Sequence, residues 1–356
     1  MTMLAETVDA VIGIDTHRDT HEVEIADTAG KPIAVLRISN DSGGFERLLA
    51  AIAEAAPGPR VAVCMEGSRS YGIGLARALG AAGLLVIECE QPSRRQRRGK
   101  GKSDPIDAHL AVLAALRLDA ARLPVPRADG DREALRILLV ARQEIRAART
   151  AQAGRLRALL LAGDDDTDRR AARKALTGAA LAALAGRALP ADARREHAVR
   201  HAEIRRLALA LDQARRQLKD NRAQLLAIVD DIAPGLTSRY GVGPVSAAQA
   251  IVSFSHPGRC RNEAAFAALG GTSPIPASSG QTTRHRLNRG GDRALNRASC
   301  AIALTRMRSC PRTRAYVARR TAEGKTTREI RRCLKRYIAR ELYRHLTRSM
   351  KPLMSP

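Results

Sequence analysis

Four carboxylates occur in an order that suits metal binding. Asp15 and Glu66 each end a short apolar run that predicts a buried strand. Asp104 and Asp107 stand three residues apart at a predicted helix start, which places both on one helix face. If the two strands are neighbours, the four groups meet at one sheet edge and repel each other. Mg²⁺ would relieve that repulsion, and two such ions can stabilise a phosphoryl displacement.

Each carboxylate also has an ordinary structural explanation. Asp104 precedes Pro105 and fits a helix N-cap that is followed by proline at the first helical position. Asp107 fits a first-turn charge that the helix dipole favours. Asp15 and Glu66 fit solvated strand ends. The metal interpretation therefore depends on all four residues occurring together on a suitable topology.

A Gly/Ser-rich stretch, residues 276–293, forms a second candidate group. Ser278 and Ser279 precede Gly280 there. The basic residues that follow are Arg284, His285, Arg286, Arg289 and Arg293. A serine that attacks a phosphodiester needs nearby cations, which neutralise the phosphate and favour the alkoxide. The alternative is a serine-rich turn whose arginines contact the DNA backbone.

A third candidate is the segment Tyr240–Ala247, which opens a predicted helix. Its glycines, Gly241 and Gly243, resemble the hairpin of helix-hairpin-helix modules, whose backbone N–H groups grip a phosphate. The alternative is an ordinary tight turn.

The net charge of +25 is unevenly distributed along the chain. Residues 1–92 hold 7 Lys/Arg and 13 Asp/Glu, a net of −6, so the remainder carries +31. A basic loop contributes Arg94, Arg95, Arg97, Arg98, Lys100 and Lys102. Codon bias would raise Arg everywhere, so this asymmetry favours a nucleic-acid partner. Aromatic residues make up only 2%, which predicts backbone contact rather than base stacking.

The predicted elements of the first 110 residues follow the order β-β-β-α-β-α-β-α. A three-strand meander followed by right-handed βαβ units describes the ribonuclease H-like α/β fold. Sugar kinases and actin-like ATPases share this core, but the phosphate-binding Gly/Thr loops that they need are not well formed here. The elements are strands 10–15, 21–27, 32–38, 60–66 and 84–90, and helices 43–56, 70–82 and one that starts near Asp104.

Residues 131–231 are rich in Ala, Arg and Leu and predict helices. From Ile204 to Ile228, apolar residues and Asn221 keep the 3-4 spacing of a coiled-coil seam. We expect this seam to join protomers; the alternative is a long amphipathic helix packed on its own domain. Pro234 and Gly235 then introduce a basic, largely helical segment, residues 236–356.

The six cysteines form no C-x-x-C pair, so neither a zinc site nor a redox motif is predicted. No signal peptide or membrane-spanning apolar run is evident. We therefore expect a cytosolic protein with reduced thiols and no membrane partner.

At these motifs the chain resembles transposases of the insertion sequence 110 type, also called DEDD transposases. The resemblance runs nearly end to end. Its motifs are Ile12-Gly13-Ile14-Asp15, Cys64-Met65-Glu66-Gly67, Lys102–Ala108, Gly241-Val242-Gly243, Ala264–Gly270, Ser278-Ser279-Gly280 and Leu287–Asp292.

The resemblance implies a RuvC-like domain over residues 1–130, a coiled-coil linker over 131–233 and a mainly α transposase domain over 234–356. It implies that Ser279, the serine before glycine, attacks DNA, and that the four carboxylates bind Mg²⁺. It also implies a dimer or tetramer in the bacterial cytosol, and a bridge RNA that pairs with donor and target DNA. The alternatives are a two-metal junction nuclease without a covalent intermediate and a non-catalytic nucleic-acid-binding protein.

Overall fold

The computed structural model divides into two compact units. One contains residues 1–133, 254–269 and 343–356, and the other contains 134–253 and 270–342. The predicted domain boundaries remain predictions, because compactness alone does not test them. The residues described are 2–68, 70–89, 104–120, 123–124, 126–127, 130–163, 166–189, 193–276, 285–286, 288 and 290–350, with the backbone alone at Asp104 and His285.

The first unit is built on a five-stranded mixed sheet in the order β3-β2-β1-β4-β5. The first three strands form an antiparallel meander, and β4 and β5 run parallel to β1. This confirms an α/β N-terminal domain, while the ribonuclease H-like assignment stays a prediction. The strands are β1 (Ala10–Thr16), β2 (Thr20–Ala26), β3 (Pro32–Ser39), β4 (Val61–Met65) and β5 (Leu85–Glu88); the helices are α1 (Ser42–Ala55), α2 (Ile73–Ala81) and α3 (Asp104–Leu116).

Side-chain alternation along the strands produces two cores. On one face, Ile12 and Ile14 of β1 pack in a cluster with Leu48 of α1 and Leu75 of α2. On the other face, Val11 packs in a cluster with residues of α3. A central sheet covered on both faces explains why its parallel strands are apolar at nearly every position.

Cys64 of β4 and Cys89, which follows β5, are joined by a disulfide with their Cα atoms 6.0 Å apart. The expectation that all thiols are reduced is therefore wrong for this pair. The spacing of 25 residues gave no sign of it, because only the parallel pairing of β4 with β5 brings the two cysteines together. The other four cysteines are free thiols.

Helices dominate the rest of the chain. The helices are α4 (Gly130–Leu161), α5 (Asp166–Arg173), α6 (Gly178–Ala185), α7 (Arg195–Ile232), α8 (Pro244–Phe254), α9 (Glu263–Leu269), α10 (Arg293–Ser309), α11 (Pro311–Ala322) and α12 (Thr327–Ser349); a short ribbon pairs β6 (Ile275–Pro276) with β7 (His285–Arg286). In the part of the chain that is described, no helix combines the length and hydropathy needed to cross a bilayer.

The apolar seam of α7 is buried within its own chain. Leu207 and Leu211 belong to a core cluster that also contains Leu160 of α4 and residues of α6. Farther along, the Asn221 amide nitrogen donates to the Leu138 carbonyl of α4 at 2.9 Å. The prediction that this seam joins protomers is therefore wrong. The alternative, a long helix packed on its own domain, is what the structure has.

Asn221 anchors this helix pair rather than setting the register between protomers. Asn221 Oδ1 accepts a hydrogen bond from Arg142 Nη1 at 3.1 Å. Arg142 Nη1 also donates to the Leu218 carbonyl at 2.9 Å. Burial and the neighbouring arginines Arg146 and Arg222 lower the pKa of Arg142. A buried polar group stabilises a helix pair only when its partners are present, and here they come from the same chain.

Truncation of the seam should destabilise the monomer rather than dissociate an oligomer. Leu211 is 2% exposed and Leu209, two residues earlier, is 52% exposed. Leu211→Ala should therefore lower the free energy of unfolding by about 2–5 kcal/mol, and Leu209→Ala should leave it nearly unchanged. Urea denaturation measures both, and light scattering gives the mass of each folded variant. A lower mass for Leu211→Ala at unchanged stability would restore the intermolecular interpretation.

Candidate carboxylate site and nucleic-acid surfaces

The backbones of β1 and α3 are in direct contact at Gly13. A Cβ atom added at this glycine would lie 2.1 Å from the Ala108 carbonyl oxygen and 2.8 Å from Val112. The far end of α3 packs beside the turn after β2, because Leu116 lies near Gly30. Helix α3 therefore runs antiparallel to β1, and its first turn lies toward the edge at which β1 ends.

Asp15 and Glu66 end neighbouring parallel strands at that same edge. Ile14 pairs with Met65 in the parallel register, and the Glu66 amide donates to the Ile14 carbonyl at 3.0 Å. Asp15 and Glu66 follow at equivalent positions, so both fall on the face that carries Gly13 and α3. Asp15 is 7% exposed and Glu66 is half-buried. The two strands are neighbours, which is the condition on which the metal interpretation depends.

A tight turn fixes the chain immediately after Glu66. The Thr16 hydroxyl donates to the Glu66 carbonyl at 2.8 Å, which ties the ends of β1 and β4 together. Gly67 has φ +72°. A Cβ atom there would also lie 2.3 Å from Thr16 Oγ1. Only glycine combines that conformation with such a close approach, so Gly67 helps to hold the Glu66 backbone at the end of β1.

The other two predicted carboxylates occupy the first turn of α3. The helix begins at Asp104, and Asp107 immediately precedes the residue that touches Gly13. Asp107 is half-buried. Among the described side chains, which do not include that of Asp104, no three His, Cys, Asp or Glu residues already form a metal-binding group. The fold thus brings β1, β4 and α3, which carry the four carboxylates, to one edge of the sheet. Among the described side chains, these carboxylates do not yet form a ligand cluster.

The chemistry of these donors nevertheless fits a hard divalent cation. Asp15, Glu66 and Asp107 offer carboxylate oxygens, which Mg²⁺ prefers, and the exposure of Glu66 leaves room for water or a substrate phosphate. The imidazole of His17 lies close to this group, with its Nε2 3.7 Å from Asp15 Oδ2. A metal held here would rest on Asp15 and Glu66 first, because their strands fix both backbones.

Two further acids on β2 extend this surface, and the sequence did not reveal them. Glu24 pairs with Gly13 in the antiparallel register, and its Oε1 lies 2.7 Å from His109 Nδ1 of α3. Glu22 pairs with Asp15 and forms a 2.9 Å ion pair with Arg37. Glu22 and Glu24 alternate with Val23 and Ile25 along β2. This pattern is typical of a strand whose polar side chains face solvent, so it did not single them out. The signal that could have found them is Gly13, because a glycine in a buried strand indicates that a helix covers that face.

The predicted nucleic-acid contacts fall largely outside the described residues. Arg286 on β7 and Arg293 at the start of α10 are exposed, as a contact residue must be. For His285 only the strand backbone is described. The predicted contacts and nucleophiles that lie outside the described residues are Arg94, Arg95, Arg97, Arg98, Lys100, Lys102, Ser278, Ser279, Arg284 and Arg289.

The turn of Gly241 and Gly243 connects α7 to α8 and is fixed on one side. Arg306 Nε of α10 donates to the Tyr240 carbonyl at 2.8 Å. A Cβ at Gly241 would contact α10 at 3.3 Å, whereas one at Gly243 would meet nothing within 4 Å. Gly243 therefore has the open surroundings that backbone contact with a phosphate requires.

An ion-pair group holds the arginine behind this turn. Glu341 of α12 accepts from Arg306 Nη1 at 2.8 Å and from Arg239 Nη1 at 3.1 Å. Burial opposes ionisation of Glu341, but its bonds to Arg306 and then Arg239 outweigh burial and lower the pKa of the carboxyl. The turn is thus positioned by charge pairs that remain formed at neutral pH.

Two family profiles match the chain. A profile described as "Transposase", for the DEDD type of insertion sequence 110 element, matches residues 12–162. A second, described as "Transposase IS116/IS110/IS902 family", matches residues 233–318. The first spans β1, β4 and α3, and therefore all four carboxylates; the second spans the glycine turn and the serine stretch.

Two curated relatives come from Streptomyces coelicolor. The chain is 33% identical over 123 residues to an uncharacterized 43.6 kDa protein of insertion element IS110, a match covering 34% of this chain and 30% of the relative. It is 31% identical over 164 residues to a protein named as a transposase for the IS117 mini-circle, covering 44% of this chain and 39% of the relative. The aligned parts thus span well under half of either relative.

The contact at Gly13 should be intolerant of a single methyl group. Gly13→Ala should displace α3, because the methyl would meet the rigid backbone oxygen of Ala108, and the expected cost is about 1–3 kcal/mol or more. Gly80→Ala in α2 is the matched control, since its Cβ meets nothing within 4 Å. Hydrogen exchange of the α3 amides, with melting temperatures, compares the two. If the α3 amides are equally protected from hydrogen exchange in Gly13→Ala and in Gly80→Ala, the contact is contradicted.

Proposed function

We propose, from the two insertion sequence 110 family transposase domains that this chain contains, that it cuts and rejoins DNA as the transposase of such an element. The observation that carries the proposal is the common edge of β1, β4 and α3. Asp15 and Glu66 end adjacent parallel strands there, and the first turn of α3 brings Asp107 toward them. Clustered carboxylates at one edge are the ligands that metal-assisted phosphoryl transfer uses.

Asp15, Glu66, Asp104 and Asp107 would hold Mg²⁺. When bound, the ion supplies positive charge to the phosphate and to the oxygen that attacks or leaves. The chain's own contribution is position: β1 and β4 hold Asp15 and Glu66 at fixed spacing, and Gly13 allows α3 close enough to bring its acids to the same edge. The strand order β3-β2-β1-β4-β5 supports a ribonuclease H-like, RuvC-like assignment for this domain.

Ser279 is the proposed nucleophile. The support is its place before Gly280 in a segment that resembles the family motif, followed by several basic residues. The described ends of that segment pair as a ribbon, with Ile275 opposite Arg286. In the cleavage step the Ser279 hydroxyl loses its proton and its Oγ bonds to phosphorus. The bond from phosphorus to a deoxyribose oxygen breaks, and that oxygen gains a proton.

Rejoining would reverse this chemistry on a different strand. A deoxyribose hydroxyl attacks the phosphoserine, the new phosphodiester forms, and the Ser279 hydroxyl is restored. No external energy source is needed, because each step exchanges one phosphoester bond for another. The basic residues after Ser279 would stabilise the charge on phosphorus in both steps.

The remaining parts of the proposal concern partners. The net charge of +31 beyond residue 92 supports binding to donor and target DNA through their phosphates. A bridge RNA and a dimer or tetramer follow from the family resemblance. Because the seam of α7 is buried within the chain, assembly of an oligomer would have to use another surface.

The second candidate function is a two-metal junction nuclease with no covalent intermediate. The observation that favours it is the group of carboxylates at the common edge of β1, β4 and α3. Metal ions held there could assist hydrolysis as well as attack by a serine. Ser279 would then act as a DNA contact. The two candidates differ in one product, since only a serine nucleophile leaves protein bonded to DNA.

A covalent adduct should therefore form on Ser279 and not on Ser278. Purified protein is incubated with Mg²⁺, the flanking RNA and the DNA ends, then denatured, and the trapped peptide is mapped by mass spectrometry. Ser279→Ala should lose both cleavage and adduct yet keep nucleic-acid binding, because only the attacking oxygen is removed. The adjacent Ser278→Ala is the matched control and should keep activity. An adduct on Ser278 would reassign the nucleophile; cleavage with free phosphates and no adduct would favour the nuclease.

A further inference from the structure

A basic cavity of about 690 Å³ lies in the second unit, at the base of the ribbon β6–β7. The segment Gly271–Pro274 and Arg286 line one side, and residues of α11 and α12 line the other. Seven of its fifteen lining residues are Lys or Arg, and one is a carboxylate. The volume lies within the range of small-molecule sites, which is about 300–1,000 Å³.

The single carboxylate of this wall is already engaged. Glu329 accepts from the Thr326 amide at 2.9 Å and from the Thr326 hydroxyl at 2.8 Å, which caps the start of α12. The lining therefore carries a net positive charge, although Arg320 is itself paired with Glu323 just outside it. Such a concentration of like charge is costly unless an anion enters.

Lys335 shows this cost most directly. It is 7% exposed, and its Nζ donates to Asn296 Oδ1 at 2.9 Å, a neutral acceptor. Asn296 is itself fixed by donating to the Gly270 carbonyl at 2.7 Å. Burial, with Arg331 and Arg332 nearby, lowers the pKa of Lys335. The buried ammonium thus has a positioned polar partner, while its charge lacks a carboxylate among the described residues.

An aromatic ring stands beside these cations. Tyr337 lines the cavity and is 54% exposed. Its ring meets that of Tyr316 of α11 edge-on, with centroids 6.1 Å apart and an interplanar angle of 89°. Tyr316 therefore supports the ring of Tyr337 while leaving much of it accessible.

We infer that this cavity holds one unpaired nucleotide of a nucleic-acid strand, with its phosphate among the cations beside Lys335 and its base stacked on Tyr337. The inference deepens the proposed function, on which it rests, by naming what this surface of the transposase binds. An inorganic anion alone would leave Tyr337 without a role. Paired bases in a duplex would not expose a ring face to it, whereas every unpaired base has a π-face available for stacking.

This interaction departs from the binding mode that composition predicts. Scarce aromatics indicate contact with the backbone only, and the cationic wall fits that expectation. One supported tyrosine at the cavity suffices for a single stacked base, which the overall percentage of aromatics does not reveal.

The base interaction is tested with full-length protein and short single-stranded oligonucleotides, without cleavage. One oligonucleotide carries 2-aminopurine at its centre, and a matched one has an abasic site there. The wild type should quench the fluorophore and bind the abasic strand about 5- to 100-fold more weakly. Tyr337→Ala should lose the quenching and the abasic penalty together, and Tyr337→Phe should keep both. Equal affinity of the wild type for both strands would overturn the inference.

The phosphate interaction is tested by matched charge changes. Arg332→Glu, in the cavity, should weaken binding and lower the slope of log affinity against log salt. Arg312→Glu on α11 makes the same charge change outside the cavity lining and should have the smaller effect. Lys335→Met should also weaken binding, with its melting temperature recorded as a check on folding. Equal effects of Arg332→Glu and Arg312→Glu would contradict the cavity as the site.

Three further arms separate the possible ligands. The affinities for DNA and RNA strands of the same sequence are compared. Binding of either strand supports the inference, and the strand that binds more tightly identifies the source of the nucleotide. If inorganic phosphate competes as well as the oligonucleotide does, the cavity is a simple anion site and the inference is overturned. Because no arm requires cleavage, loss of the Ser279 adduct would refute the proposed chemistry without deciding this binding.

Discussion

The contact of β1 with α3 at Gly13 is the constraint on which the candidate site depends. Because the added methyl of any other residue would lie 2.1 Å from the Ala108 carbonyl oxygen, only glycine lets the helix reach the sheet here. That approach turns one sheet face into a covered surface and brings the first turn of α3 toward the ends of β1 and β4. His109 and Glu24, joined at 2.7 Å across the same contact, fix the helix against sliding along the strand.

Electrostatics divides the protein into two kinds of surface. The sheet edge concentrates carboxylates on neighbouring strands, which is unfavourable until a cation binds. The cavity beneath β6–β7 concentrates arginines and lysines around a buried ammonium, which is unfavourable until an anion binds. Each surface is held by ordinary structure: a parallel strand pair at the edge, and a capped helix with an Asn296 bridge at the cavity. This difference in the sign of the charge is why we propose a metal ion at the first surface and a phosphate group at the second.

The sequence predicted the sheet well because hydrophobic alternation and turn residues are local signals. The strands and helices of the first unit lie within a few residues of their predicted bounds, and Asp15 and Glu66 end adjacent strands as expected. Interactions that depend on distant partners were missed. The seam of α7 has the spacing of an interface between protomers, but only the fold shows that α4 and α6 of the same chain fill it. The disulfide of Cys64 and the placement of Glu22 and Glu24 likewise depend on which elements pair.

The central claim is that Asp15 and Glu66 hold a divalent metal ion at the common edge of β1, β4 and α3. Direct binding of Mn²⁺, as a spectroscopic substitute for Mg²⁺, tests it without any requirement for DNA cleavage. Electron paramagnetic resonance should show Mn²⁺ bound to the wild type and lost in Asp15→Asn and in Glu66→Gln. The control, Glu22→Gln, should retain it, because Glu22 faces the same edge but is paired with Arg37 at 2.9 Å. Undiminished Mn²⁺ binding by both Asp15→Asn and Glu66→Gln, each with a wild-type melting temperature, would contradict the account.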